Sequence, residues 1–148
     1  MENLLDNPLH PYQLHQPYSS PRQLLPLALW IDCIISGACG LLQVAATQAV
    51  HQLTALGVSL LTGTGWFMMA YGVFLCFLAR HPHPPSGLVW FLVLGNPVWG
   101  IASALLLSQQ HATLTSVGVA YLFVNAVFGF SIALLQYLGL QQRGSHAA

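Results

Sequence analysis

Four long apolar stretches dominate this sequence, and their length decides what the chain can fold into. They cover about residues 24–46, 56–79, 87–108 and 114–140. At 1.5 Å per residue, a helix of about 20 residues crosses a hydrocarbon core of about 30 Å. Lipid offers the backbone no hydrogen-bond partners, so a spanning segment must bond internally, as a helix does. The short connections then predict an all-α, antiparallel bundle of four transmembrane helices.

The scarcity of charge supports a lipid environment. Only 4% of the residues are charged and 55% are hydrophobic, whereas a soluble domain carries about 25% charged residues. We therefore expect an integral membrane protein with lipid as its immediate partner. The formal net charge is zero, so the chain lacks the basic surface that a nucleic acid would require.

Three arginines carry all the strong positive charge and predict the orientation. Arg22 precedes the first span, Arg80 ends the second and Arg143 follows the fourth. In an antiparallel bundle these positions share one side, and positive residues favour the cytoplasmic side. We expect residues 1–23 to form a flexible cytoplasmic arm and residues 141–148 a short cytoplasmic tail.

Aromatic residues that lie closer to span ends than to centres fit membrane interfaces: Trp30, Trp66, Tyr71, Trp90 and Tyr137.

The two halves of the chain resemble each other weakly at an offset of 64 residues. The segment DCIISGACGLL, which begins at Asp32, aligns without a gap with NPVWGIASALL, which begins at Asn96. This pattern is compatible with a tandem repeat of two helical hairpins that share one orientation. It predicts comparable depths in the membrane for Asp32 and Asn96.

Polar residues inside the spans form the main candidate site. Asp32 is the one acid within a span, and a charge at the centre of a membrane helix costs at least about 2.5 to 3.5 kcal/mol. Two interpretations stay open: a buried structural contact through Asn96, Asn125 or a backbone carbonyl, or a proton-linked or ligand-binding acid. Pro97 interrupts span three beside Asn96 and is either a packing kink or part of a binding site. We predict an intramembrane polar cluster of Asp32, Asn96 and Asn125, structural or ligand-binding.

Small residues at four-residue spacing predict close contact between helices. They occur in spans one, three and four and could serve the core of the bundle or a partner subunit. They are Ser36, Gly40, Gly100, Ala104, Gly129 and Ala133.

Motifs that carry chemistry are weak in this sequence. His51 and His111 lie on the two connections away from Arg80 and are weak candidates for metal ligands, since no HExxH-like helical pair accompanies them. The sequence contains no GxSxG, Walker A or dinucleotide fingerprint. We therefore predict no catalytic residue, no metal and no bound cofactor.

Three segments carry a family resemblance: LALWIDCIISGACGLL (27–42), LGNPVWGIASALLL (94–107) and LLQYLGLQQR (134–143). They resemble a family of small four-helix integral membrane proteins of bacteria, including cyanobacteria, that has no established activity. The resemblance covers about residues 24–143 and implies a bacterial cytoplasmic or cyanobacterial thylakoid membrane. Members often carry an acid near the end of the last helix. Leu134 and Gln136 stand there in this chain, which argues against a paired-acid mechanism.

Three functions follow from these patterns. The first is a non-enzymatic accessory or stabilising subunit that packs against a larger membrane complex, with self-association as a variant. The second is a small oligomeric transporter or channel that uses Asp32 and Asn96. The third is a binder of a lipophilic cofactor such as a quinone, haem or chlorophyll.

Overall fold

The computed structural model describes residues 24–82 and 84–144, which form five helices and no strand. The helices are α1 (Leu24–Ala45), α2 (Thr47–Thr54), α3 (Val58–Arg80), α4 (Ser86–Gln110) and α5 (Ser116–Gly144). All except α2 are long and apolar enough to cross a membrane, which confirms the predicted helical bundle. The predicted arm with Arg22, the last four residues and the side chain of Arg143 lie outside the described residues.

The structure differs from the predicted boundaries in two places. The connection after span one contains the two-turn helix α2, which ends at Thr54. The next residue, Ala55, caps this helix: its backbone N–H donates to the carbonyl of His51, and its left-handed φ of 61° turns the chain out of the helix. At the other end of the chain, α5 continues to Gly144. Residues 141–144 therefore extend the last helix and do not begin a tail at 141.

Close backbone contacts bind the helices into two hairpins. In the first hairpin, α1 packs on α3: a Cβ atom added to Gly40 would lie 2.8 Å from the carbonyl oxygen of Gly65. In the second, α4 packs on α5: a Cβ atom added to Gly129 would lie 2.7 Å from the carbonyl oxygen of Asn96. Gly65 and Gly129 are 64 residues apart, so the offset of the sequence repeat relates one glycine of each contact, whereas their partners Gly40 and Asn96 do not correspond.

Five of the six small residues predicted to pack between helices are buried, and Ala104 is not. The buried face of α4 runs through Asn96, Gly100 and Ser103. At 100° per residue, Ala104 lies about 80° around the helix from Asn96. Ala104 therefore does not pack in the core of this bundle, because the buried face of α4 continues to Ser103.

The hairpins meet differently along their two edges. Along one edge α1 touches α5, where a Cβ atom on Gly139 would lie 2.9 Å from the backbone of Leu25. Along the other edge no Cα atom of α3 comes within 8 Å of a Cα atom of α4. Positions 64 residues apart correspond in the repeat, so Gly139 corresponds to Leu75 and Leu25 corresponds to Val89. Leu75 of α3 and Val89 of α4 are both fully buried. Because a leucine fills the space that a glycine leaves empty, α3 and α4 stay farther apart.

Apolar side chains close both ends of the bundle. At the end that carries Arg80, which we call the Arg80 end, a leucine-rich cluster joins α1, α3 and α4: Leu25, Leu29, Leu75, Leu78, Val89, Leu92 and Val93. At the opposite end, which we call the α2 end, a smaller cluster is formed by Val50, Leu56, Leu61 and Leu122. The candidate site lies between these two clusters.

Candidate functional site

Asp32 lies at the centre of a buried polar cluster. It follows Leu24 by eight residues, or about 12 Å along α1, and it shares the buried face of that helix with Leu29 and Ser36. Its side chain is 0% exposed. A carboxyl group at this depth needs hydrogen-bond partners, because an unsatisfied polar group in an apolar region costs several kcal/mol.

All four membrane-length helices contribute a donor to this carboxyl group. The amides of Gln136 and Asn96 donate to Oδ2 at 2.9 and 3.1 Å, and the Tyr71 hydroxyl donates to the same oxygen at 3.1 Å. The Ser36 hydroxyl, one turn along α1, donates to Oδ1 at 3.0 Å. We call these five residues the Asp32 cluster.

Further hydrogen bonds connect the donors to one another. The Asn96 amide also donates to Oε1 of Gln136 at 3.1 Å, and the Tyr71 hydroxyl lies 3.2 Å from Oδ1 of Asn96. One hydroxyl proton is therefore shared between two acceptors. The donors to Asp32 are all neutral, so the carboxyl group has hydrogen-bond partners but no ion-pair partner within the cluster.

The structure joins two of the three residues that the sequence proposed for the polar cluster. Asp32 and Asn96 are hydrogen-bonded, whereas Asn125 donates to the backbone carbonyl of Tyr121 at 2.9 Å and lies outside the cluster. Tyr71 and Gln136 are partners of Asp32 that the sequence pattern did not reveal. Tyr71 had been assigned to a membrane interface, but its hydroxyl reaches Asp32 in the interior. Gln136 carried a usable signal, namely an uncharged polar side chain within the apolar run of the last span.

A second polar cluster lies nearer the α2 end. The Thr64 hydroxyl donates to Oε1 of Gln43 at 2.6 Å, and the Gln43 amide donates to the Tyr121 hydroxyl at 2.7 Å. Gln43 is 3% exposed and follows Asp32 by eleven residues, or about 16 Å along α1. This cluster therefore ties α1, α3 and α5 together at a second level.

A cavity of about 550 Å³ lies between the two hairpins and has the Asp32 cluster at one side. Such a volume is typical of small-molecule sites. Asp32, Ser36, Tyr71, Asn96 and Asn125 supply its polar part. The remaining lining is mainly apolar: Ile35, Phe67, Met68, Phe74, Phe91, Leu92, Val98, Trp99, Val124 and Phe128.

The cavity reaches the lipid-facing surface between α3 and α4. Phe67 of α3 and Phe91 and Val98 of α4 line it, yet they are 57%, 65% and 65% exposed. The wide spacing of α3 and α4 accounts for this opening. A smaller cavity of about 240 Å³ adjoins the Gln43 side and shares Trp99 and Asn125 as lining residues.

Aromatic rings bridge the opening. The Phe67 ring lies nearly parallel to the Tyr71 ring, with centroids 6.2 Å apart and planes at 9°. It also stacks on Trp99 of α4, with centroids 5.8 Å apart and planes at 17°. The three rings form one continuous aromatic wall from the Asp32 cluster to the opposite helix.

The two histidines considered as metal ligands lie away from this cavity. A ring nitrogen of His51, Nδ1, hydrogen-bonds the carbonyl oxygen of Leu56 at 2.6 Å, which positions the connection between α2 and α3. His111 is exposed at the end of α4. Within the described part of the chain, no group of three or more His, Cys, Asp or Glu side chains is arranged to hold a metal ion.

Comparisons of the chain with protein-family models, with curated proteins and with solved structures found no match. The family resemblance drawn from the sequence therefore stays a prediction, and function has to be argued from the geometry of the site.

Proposed function

We propose that this protein binds a lipophilic small molecule that reaches the cavity sideways from the bilayer, between α3 and α4. One observation carries the proposal. The cavity combines mainly apolar walls, a surface opening and a small set of converging polar groups, which is the usual composition of a small-molecule site. An apolar ligand can fill such a cavity directly from lipid, without crossing an aqueous phase.

The Asp32 cluster would hold the polar end of this ligand. Tyr71 and Asn96 line the cavity and are fixed by hydrogen bonds to Asp32 and to each other. Side chains that are already oriented lose little freedom when a ligand binds. The apolar part of the ligand would extend along the aromatic wall toward the lipid.

Gly95→Phe tests this proposal by filling the cavity. Gly95 lines the cavity, and a Cβ atom placed there would meet nothing within 4 Å, so a larger side chain enters open space. Gly87→Phe on the same helix is the matched control, because its Cβ atom would also meet nothing within 4 Å and it does not line the cavity.

The measurement is mass spectrometry of the small molecules and proteins that remain with each variant after purification from native membranes in mild detergent. We expect a lipophile in near-stoichiometric amount with the wild type and Gly87→Phe, and at least a tenfold loss with Gly95→Phe. Retention of the same lipophiles by all three proteins, or by none, would refute a specific cavity site.

The orientation and the membrane belong to the proposal as well. We propose that both termini are cytoplasmic, on the basis of Arg80 and the two terminal arginines, and that the membrane is the bacterial cytoplasmic or the cyanobacterial thylakoid membrane. Reporter proteins fused at both termini test this orientation, and reporter activity restricted to the opposite side would overturn it.

The accessory-subunit and transporter hypotheses stay predictions. Five of the six small residues that pointed to a partner subunit are buried within this bundle, as Gly40 is against Gly65 and Gly129 against Asn96, so these five no longer argue for a partner. The two adjoining cavities favour transport to a limited extent. Recovery of a larger complex in the purification above would favour a subunit.

A further inference from the structure

We infer that the ligand is a bulky organic cation, attracted by the carboxylate of Asp32 and bound against the aromatic wall of Tyr71, Phe67 and Trp99. The inference rests on the proposed binding function and assigns the chemical class of the ligand. It follows from three observations: the hydrogen-bond pattern around Asp32, the distribution of charge and the aromatic wall.

The hydrogen-bond pattern fits an ionised Asp32. An ionised carboxylate only accepts hydrogen bonds, whereas a protonated one must also donate. All four neighbours donate to Asp32. Of the nearby amide oxygens, Oε1 of Gln136 accepts from Asn96, and Oδ1 of Asn96 shares the single Tyr71 hydroxyl proton with Asp32. The two amide donors and the two hydroxyls can therefore all donate to a carboxylate, and the cluster accommodates a negative charge on Asp32.

Among the described residues, no cationic side chain hydrogen-bonds Asp32. No Lys, Arg or His is among the described residues that line the cavity, and the remaining acids of the chain, Glu2 and Asp6, precede the first span. In a medium of low dielectric constant, an uncompensated charge acts strongly over several ångströms. The cavity therefore favours a cation over a neutral molecule and disfavours an anion such as a phosphate or carboxylate head group.

The geometry selects a bulky cation over a small one. Asp32 is 0% exposed, so a ligand does not replace its four donors and interacts with it across the cavity. A small hydrated cation would lose its water in a mainly apolar cavity and gain few ligands in return. A cation with apolar groups keeps favourable contacts with the walls, and the aromatic faces attract its positive charge.

Two ions of nearly the same shape and opposite charge provide the test. Tetraphenylphosphonium and tetraphenylborate both carry four phenyl groups, so differences in their binding report charge and not size. Binding of each to the purified full-length protein is measured in detergent by equilibrium dialysis and by quenching of tryptophan fluorescence. Asp32→Asn removes the charge and keeps the size, and Gly95→Phe fills the cavity.

We expect the wild type to bind the phosphonium at least about tenfold more tightly than the borate. Asp32→Asn should reduce this ratio to near one, and Gly95→Phe should weaken phosphonium binding at least tenfold. The wild-type ratio tests the inference without any variant, should Asp32→Asn fail to fold. Equal affinities, or a preference for the borate, would overturn the inference.

The outcome also separates this inference from the proposed function. If native membranes yield a neutral lipophile that Gly95→Phe loses, and the phosphonium is not preferred, the cavity is a binding site and the assigned ligand class is wrong. If no lipophile is retained and neither ion binds, the proposed function fails together with the inference.

Discussion

Replacement of Gln136 by leucine tests the role of the Asp32 cluster in holding the hairpins together. Gln136 is 0% exposed. It donates to Asp32 at 2.9 Å and accepts from Asn96 at 3.1 Å, so it links α5 to both α1 and α4. Gln136→Leu keeps a similar side-chain volume and removes both hydrogen bonds.

The expected loss follows from the number of bonds. Hydrogen bonds between helices in membrane proteins contribute about 0.6 kcal/mol on average and up to about 1.7 kcal/mol. Two such bonds give an expected decrease in the free energy of unfolding of about 1 to 3 kcal/mol. Three of the four donors to Asp32 remain in the variant, so the carboxyl group loses one hydrogen bond and keeps three.

The assay is reversible unfolding in mixed micelles at increasing mole fraction of sodium dodecyl sulfate, followed by tryptophan fluorescence. Gln141→Leu is the matched control on the same helix, since Gln141 is exposed and bonds the Tyr137 hydroxyl within α5. We expect this control to change stability by less than about 0.5 kcal/mol. A double-mutant cycle of Gln136→Leu with Asp32→Asn should give a coupling free energy of about 0.5 kcal/mol or more.

Equal stability of Gln136→Leu and Gln141→Leu would refute the reasoning. It would mean that the cluster is no stronger than the contacts that its members find in the unfolded, membrane-inserted state. A coupling free energy near zero would separately show that Gln136 acts independently of Asp32.

Two further predictions concern the backbone and use the same unfolding assay. Gly129→Ala should destabilise the bundle by about 1 to 3 kcal/mol, because its Cβ atom would lie 2.7 Å from a carbonyl oxygen of α4. The same change at Gly63, where a Cβ atom meets nothing within 4 Å, should be neutral or stabilising, and a similar loss at both positions would contradict the packing argument. Ala55→Gly should stabilise the protein by about 1 kcal/mol, because Ala55 has a φ of 61° and only glycine adopts this conformation without strain. A destabilised variant would show that the left-handed turn is not strained.

The helical architecture could be predicted because the thickness of a membrane imposes one length on every span. Each predicted span lies within a few residues of a helix that the structure describes. The short helix α2 could not be predicted in this way, because its eight residues are mostly polar and hydropathy does not distinguish such a helix from a loop. Its position depends on contacts with α5, where Thr54 packs against Gly118.

The candidate site could be predicted only in part. An acid and an asparagine related by the repeat offset, both within apolar spans, pointed to Asp32 and Asn96, and these residues are hydrogen-bonded. Tyr71 and Gln136 were missed because their roles depend on how the helices rotate and cross, which helical periodicity within single spans does not determine. The cavity could not be predicted at all, since it results from the spacing of α3 and α4.

That spacing has an evolutionary consequence. Leu75 stands where the repeat offset would place the counterpart of Gly139, and it lies in the leucine-rich cluster at the Arg80 end, whereas Tyr71, one turn away, belongs to the polar cluster. The width of the opening and the chemistry of the site therefore depend on different residues. If the cavity binds a ligand as we propose, selection for a larger or smaller ligand can act on a buried apolar position such as 75 and leave Asp32 with all its hydrogen-bond partners. Under that proposal, the size of the ligand that the bundle admits can change while the polar contacts that hold the ligand stay the same.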